Sequence, residues 1–185
     1  GVDVTQMPLQ ELRRDVAIVP QEGFLFTSTL ADNLRYGEPE ATDQRVEQAA
    51  DQARLADDVK GFPDGFRTIV GERGITLSGG QRQRTALGRA LLMSAPLLIL
   101  DDAFASVDNN TAAAILDSIR AQDDRTIVMI SHQLSAAAAC DRILVMDNGR
   151  IVQQGHHSVL IQQQGVYKRL WERQQAAQQL DAMAS

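Results

Sequence analysis

The chain has 185 residues, 44% of them hydrophobic and 23% charged. That is the composition of an ordinary globular protein with one sizeable core, so one domain, or one domain with a sub-lobe, is expected. Its 18 basic and 24 acidic residues leave a net charge of -6, which argues against a face built to neutralise phosphates, and no nucleic-acid partner is expected. No apolar run reaches the length of a bilayer span. The single cysteine, Cys140, cannot form an internal disulfide and reads as a small buried core thiol.

The chain begins at Gly1 rather than methionine, in "GVDV", which reads as part of a β-hairpin in a sequence cut from something longer. Val16 to Val19 form a β-branched run ended by Pro20, a strand leading into "QEGFLF". From Ser28 to about Lys60 the pattern is helical. "TLADNL" makes a short helix, and Ala49, Ala50, Ala53 and Val59 then fall at helical spacing. Glycine and proline punctuate "GFPDGF" at 61–66. A helix opens at Ser78 and runs to about Met93, with Leu87, Ala90 and Leu91 on one face. Pro96 then precedes "LLILDD", whose apolar residues 97–100 read as a strand buried on both faces that delivers two acids to its rim. Asn109 or Asn110 caps a helix carrying Ile115, Leu116 and Ile119, and "TIVMI" at 126–130 is a second buried strand. Strand, helix, strand in that order implies a parallel sheet. "ILVM" at 143–146 and "RIVQQG" at 150–155 flank "DNG", a strong hairpin signal. From Val159 onward the chain is helical and rich in glutamine and alanine, and its last dozen residues are expected to fray.

Chemistry concentrates at "LSGGQ", residues 77–81. Ser78 with Gln81 three residues on has the form of a capping box, which by itself only starts a helix. Yet each of two adjacent glycines costs about 0.5–1 kcal/mol against alanine in a helix, so something needs that backbone bare. A serine hydroxyl, unobstructed N–H groups and the positive end of a helix together make a phosphate site.

The order of Gln21 after a strand, "VGERG" at 70–74, "LSGGQRQR" at 77–84, "LLILDD" at 97–102, "SVD" at 106–108 and "SH" at 131–132 resembles the ATP-binding cassette ATPases, and more closely the nucleotide-binding domain of an exporter-type ABC transporter. The tail "GHHSVLIQQQGVYKRLW" is similar to the end of such domains. The resemblance implies an α/β P-loop NTPase fold with a helical subdomain. It divides the chain into a core segment with the Q-loop (1–26), the helical subdomain with the signature motif (27–95), the remaining core with Walker B, D-loop and H-loop (96–165), and a C-terminal helical tail (166–185).

By the same resemblance, Asp101 holds Mg²⁺ through water and Asp102 polarises the attacking water, where the family usually has glutamate. Gln21 contacts Mg²⁺ and that water and links the site to the transmembrane domain. His132 contacts the γ-phosphate. Ser78, Gly79, Gly80 and Gln81 meet the ATP held by a partner domain, Asp108 reaches across that interface, and Glu72 meets the coupling helices of the membrane domain. His156 and His157 have no such address and read as surface residues. One component is missing: neither Lys60 nor Lys168, the only lysines, follows a G-x-x-x-x-G-K-[ST] loop. In the family that loop and the adenine-stacking aromatic precede the position of Gly1, so the N-terminal strands and Walker A are expected to be absent and the chain alone to be inactive.

The resemblance implies ATP and Mg²⁺ as cofactors. Its implied partners are a second nucleotide-binding domain and the transmembrane domains, at the cytoplasmic face of the plasma (inner) membrane. Asp102 makes one half-site weak while "LSGGQ" is sound, which favours a heterodimer and leaves a homodimer possible. The alternative reading is a slow or non-hydrolysing regulatory half. A DNA-maintenance ABC ATPase is disfavoured by the acidic charge, the exporter-like "VGERG" and the lack of a coiled-coil segment.

Overall fold

A computed structural model describes residues 2–71, 75–122 and 125–184. The chain divides into two compact units, Gly1–Ile130 and Ser131–Ser185. In the first, Asp3 accepts a hydrogen bond from the Thr5 N–H and starts a 3₁₀ turn, Val4–Gln6, followed by α1 (Leu9–Asp15). The hairpin expected at "GVDV" is therefore corrected among residues 2–6. An aspartate two residues before an available N–H closes its own turn without a partner strand.

Three strands, β1 (Val16–Val19), β4 (Leu97–Asp101) and β5 (Thr126–Ile130), form a parallel sheet in the order β1-β4-β5. Ile18, Ile99 and Val128 are aligned across it. On one face Ala17, Val19, Leu98 and Leu100 are fully buried, and Ile127 and Met129 are half-buried. The other face is more open: Leu97 and Ile99 are half-buried, Ile18 is 57% exposed, Val128 45% and Ile130 53%, so neither β4 nor β5 is the fully buried strand that its unbroken apolar run suggests. Apolar residues on both faces show what a strand could bury; burial itself depends on what packs there.

Between β1 and β4 lies a mostly helical lobe. β2 (Ser28–Thr29) pairs antiparallel with β3 (Ile69–Val70) beside α2 (Leu30–Arg35), α3 (Asp43–Gln52) and α4 (Ala56–Lys60). Thr29 and Thr42 cap α2 and α3 through their hydroxyls. The helical spacing of Ala49 to Val59 is not one helix, because Arg54 adopts a φ of 54° and breaks it. Leu55 N–H still reaches Ala50 C=O, and Ala50, Ala53 and Leu55 are all buried, so the break keeps the apolar face continuous.

The long α5 (Gly79–Leu92) runs from this lobe back to β4, and α6 (Asn109–Gln122) connects β4 to β5. The cap of α6 is Asp108, one residue before the expected asparagines: its carboxylate accepts from the Thr111 N–H at 2.9 Å. In the second unit, α7 (Leu134–Ala138) precedes the hairpin of β6 (Ile143–Asp147) and β7 (Arg150–Gly155), followed by α8 (His157–Leu160) and α9 (Val166–Ala184). Asn148 and Gly149 both have positive φ, 49° and 74°, the turn that "DNG" predicts. Cys140 is half-buried, not a core thiol, with its sulfur 3.7 Å from Ala136 C=O. His157 is likewise not a plain surface residue, since its Nδ1 lies 2.8 Å from Tyr167 Oη and its ring packs 4.5 Å from that of Trp171.

Candidate active site

Ser78 caps α5 in an extended conformation, φ -61° and ψ 163°, and closes the capping box read from its spacing to Gln81. Ser78 N–H donates to Gln81 Oε1 at 2.9 Å, and Gln81 N–H donates to Ser78 Oγ at 3.2 Å. The exposed hydroxyl accepts in this exchange and keeps its own proton to donate. Beside it opens a cleft of about 420 Å³ lined by Ser78, Gly79, Gly80, Ser106, Asp108 and Thr111.

The bare backbone has a reason inside the chain. A Cβ on Gly80 would lie 2.8 Å from Ser106 C=O, and one on Gly79 3.3 Å from the Ser106 side chain. The two glycines thus let the 106–108 loop seat directly on the first turn of α5. Gln83 fastens that contact. Buried to 5% exposure, it accepts from Ser106 N–H through Oε1 at 2.8 Å and donates from Nε2 to Gln21 C=O at 3.3 Å. Sequence reasoning missed Gln83 and Ser106. A polar residue on the buried face of a helix was the available signal, since such a side chain must find partners.

Asp101 ends β4, paired in register with Ile130. Asp102 follows with a φ of 46°, its N–H donating to Ile130 C=O at 2.9 Å. Three non-glycine residues have positive φ among the described residues. Arg54 breaks a helix and Asn148 makes a hairpin turn, whereas Asp102 sits at a strand's C-terminal edge, where parallel α/β sheets bind ligands and where strained backbone marks functional positions. Both carboxylates are half-buried and have no hydrogen-bonding side-chain partner among the described residues. No group of three His, Cys, Asp or Glu gathers there among the described residues. Such a donor set does not make a protein cage, but it suits Mg²⁺, a hard cation that keeps several waters and shares its shell with phosphate.

Asp108 stands at the rim of the cleft. Hydrogen bonding from Thr111, first from its side chain and then from its backbone N–H, holds its carboxyl below the ordinary carboxylate range. Gln21 has an exposed side chain, and its backbone carbonyl is the atom tied to Gln83. His132 is exposed and belongs to the second unit. Glu72 lies outside the described residues.

The sequence profile of the family described as ABC transporter matches residues 1–105, more than half of the chain. The chain belongs to the ABC transporter family. It is 43% identical over 181 residues to the multidrug resistance-like ATP-binding protein MdlA of Escherichia coli, covering 97% of this chain and 31% of that protein. With the mitochondrial ABC transporter B family member 24 of Arabidopsis thaliana it shares 42% identity, covering 94% of this chain and 26% of that one. A solved bacterial Atm1-family ABC exporter with ATP bound superposes with a TM-score of 0.89 at 40% identity, over 94% of this chain and 31% of that structure's chain. These similarities make it an exporter-type ABC nucleotide-binding domain segment with the α/β P-loop NTPase fold. The chain spans about a fifth to a third of the length of the ABC transporters it matches.

Proposed function

We propose that this chain forms part of the ATP-hydrolysing domain of an ABC exporter. In this reading two such domains close head to tail on MgATP and drive substrate across a membrane. The observation that carries the reading is the cleft at Ser78: a hydroxyl with its proton free and the N-terminus of a 14-residue helix face a space bounded by the Asp108 loop. Its role is to receive the phosphates of a nucleotide held by the partner domain.

Magnesium bound with the nucleotide would neutralise charge on the phosphate oxygens. Asp101 would hold it through water, and Asp102 would accept a hydrogen bond from the attacking water and orient it. Gln21 and His132 would complete the site at the metal and the γ-phosphate, Asp108 would reach across the domain interface, and Glu72 would meet the membrane domain. The sequence holds no G-x-x-x-x-G-K-[ST] loop, so residues 1–185 alone hydrolyse no ATP in this reading. The partners are a second nucleotide-binding domain and transmembrane domains, at the cytoplasmic face of a plasma or inner membrane.

A second reading, a slow half-site in a heterodimer, is favoured by Asp102. Aspartate tolerates the left-handed backbone seen there better than glutamate does, but it withdraws the carboxylate by one methylene, about 1.5 Å, and a 1 Å misplacement can cost on the order of 100-fold in rate. Steady-state ATPase turnover of the full-length transporter tests both readings. Ser78→Arg is expected to nearly abolish activity, and Asp102→Glu to raise it or leave it little changed. Tolerance of Ser78→Arg would reject the phosphate seat. Inactivation by Asp102→Glu would reject the slow half-site.

A further inference from the structure

The Gln81 side chain has neither end free. Its Oε1 accepts from Ser78 N–H at 2.9 Å, while its Nε2 donates to Asp58 Oδ1 at 2.8 Å. Asp58 comes from α4, 23 residues earlier. Its other oxygen, Oδ2, accepts from Arg84 Nη1 at 2.7 Å, with the two side chains only about one-fifth exposed. Arg84, three residues after Gln81 on α5, also donates to Arg54 C=O and to Gly80 C=O, the latter at 3.4 Å. Helix α4 is thereby pinned to the first turn of α5 at the level of the glycines.

A primary amide can face either way, and only its partners decide which end is oxygen. Asp58 is an obligate acceptor when ionised, so it draws the NH₂ of Gln81 to itself and turns the oxygen towards Ser78 N–H. We propose that Asp58 is the positioning residue of the "LSGGQ" turn. By fixing the orientation of the Gln81 amide, it holds Ser78 at the cap with the hydroxyl proton as the group presented to phosphate. Gln81 then serves to hold the turn, and Ser78 and the backbone N–H groups of the first helical turn are what the nucleotide meets. The inference rests on the proposed reading of the Ser78 cleft.

The test is steady-state kinetics of the full-length transporter, reading KM for MgATP separately from kcat, with the melting temperature of each variant measured alongside. Asp58→Ala removes the acceptor and is expected to raise KM about tenfold, the scale of one lost hydrogen bond to a charged group, with kcat within about twofold. Asp58→Asn keeps one acceptor oxygen, which can serve Gln81 only by turning the new NH₂ towards Arg84, so it loses that charged hydrogen bond and its KM rises less than in Asp58→Ala. Gln81→Glu sets carboxylate against carboxylate and raises KM as Asp58→Ala does. The double variant Asp58→Asn with Gln81→Glu exchanges donor and acceptor and restores the parent KM. A merely structural contact would instead lower the melting temperature without this pattern in KM.

An unchanged KM in Asp58→Ala overturns the proposal. So do equal losses in Asp58→Ala and Asp58→Asn, or a double variant no better than Gln81→Glu. Ser78→Ala in the same assay separates the two ideas. If it is silent, the reading of the cleft fails and this inference with it. If Ser78→Ala raises KM and Asp58→Ala does not, only the positioning role fails.

Discussion

Asp108 shows how one side chain serves the local chain and the cleft together. It caps α6 through Thr111, and that hydrogen bonding depresses its pKa on folding. A carboxyl with a lowered folded pKa adds stability above its unfolded value of about 3.9 and loses it as pH falls through the folded value. Asp108→Ala should therefore lower the urea midpoint of the chain at pH 7. The gap from the parent should narrow steadily as pH falls below about 4. Urea titrations at several pH values check this, and a gap that is constant across pH would mean that the cap contributes no titratable stability. The spacing of residues 108–111 contained this cap, but three consecutive capping candidates, Asp108, Asn109 and Asn110, compete for one position, and only the hydrogen bond chooses among them.

At the scale of elements, α5 organises the first unit. Its buried face carries Leu87, Ala90 and Leu91, as the helical spacing predicts, and its half-buried start meets the 106–108 loop. Arg89 ties the same helix to the lobe, with its guanidinium donating to Asn33 C=O at 2.9 Å and lying 5.3 Å from the Tyr36 ring. Burial lowers the Arg89 pKa from its ordinary value, yet guanidinium stays charged across the usable pH range. The seat of the loop is tighter at Gly80 than at Gly79, because a Cβ at Gly80 would press on backbone oxygen and one at Gly79 only on a side chain. Gly80→Ala is thus expected to destabilise by about 1–3 kcal/mol and to speed hydrogen exchange at the Ser106 amide. Gly79→Ala should do less of both. Denaturant unfolding and residue-resolved exchange measure the pair; equal effects at the two glycines would show that the loop moves aside freely.

At the scale of the whole molecule, the parallel sheet leaves Ile18, Val128 and Ile130 largely exposed on one face. Strands β1 and β5 are its edges among the described residues. An exposed apolar sheet face with open edges favours self-association. The 185-residue chain should therefore sediment as a concentration-dependent mixture of species. Val128→Thr with Ile130→Thr should shift that mixture towards monomer. A parent chain that stays monomeric at all concentrations would contradict the expectation.

What the sequence determined by itself is what short stretches determine. These are the strand at Val16–Val19, the limits of α5, the capping box at Ser78, the hairpin turn at Asn148–Gly149 and the order of motifs that marks the family. Each is a periodicity, a cap or a turn whose energetics close within a few residues. The tertiary structure decided why Gly79 and Gly80 are bare, where the Gln81 amide points, and that Gln83 holds two loops at once. Those contacts join residues 23 to 62 positions apart. It also decided which face of an apolar strand is covered, since hydrophobicity states only what a side chain would gain from burial, and the neighbour that supplies the burial comes from elsewhere in the fold.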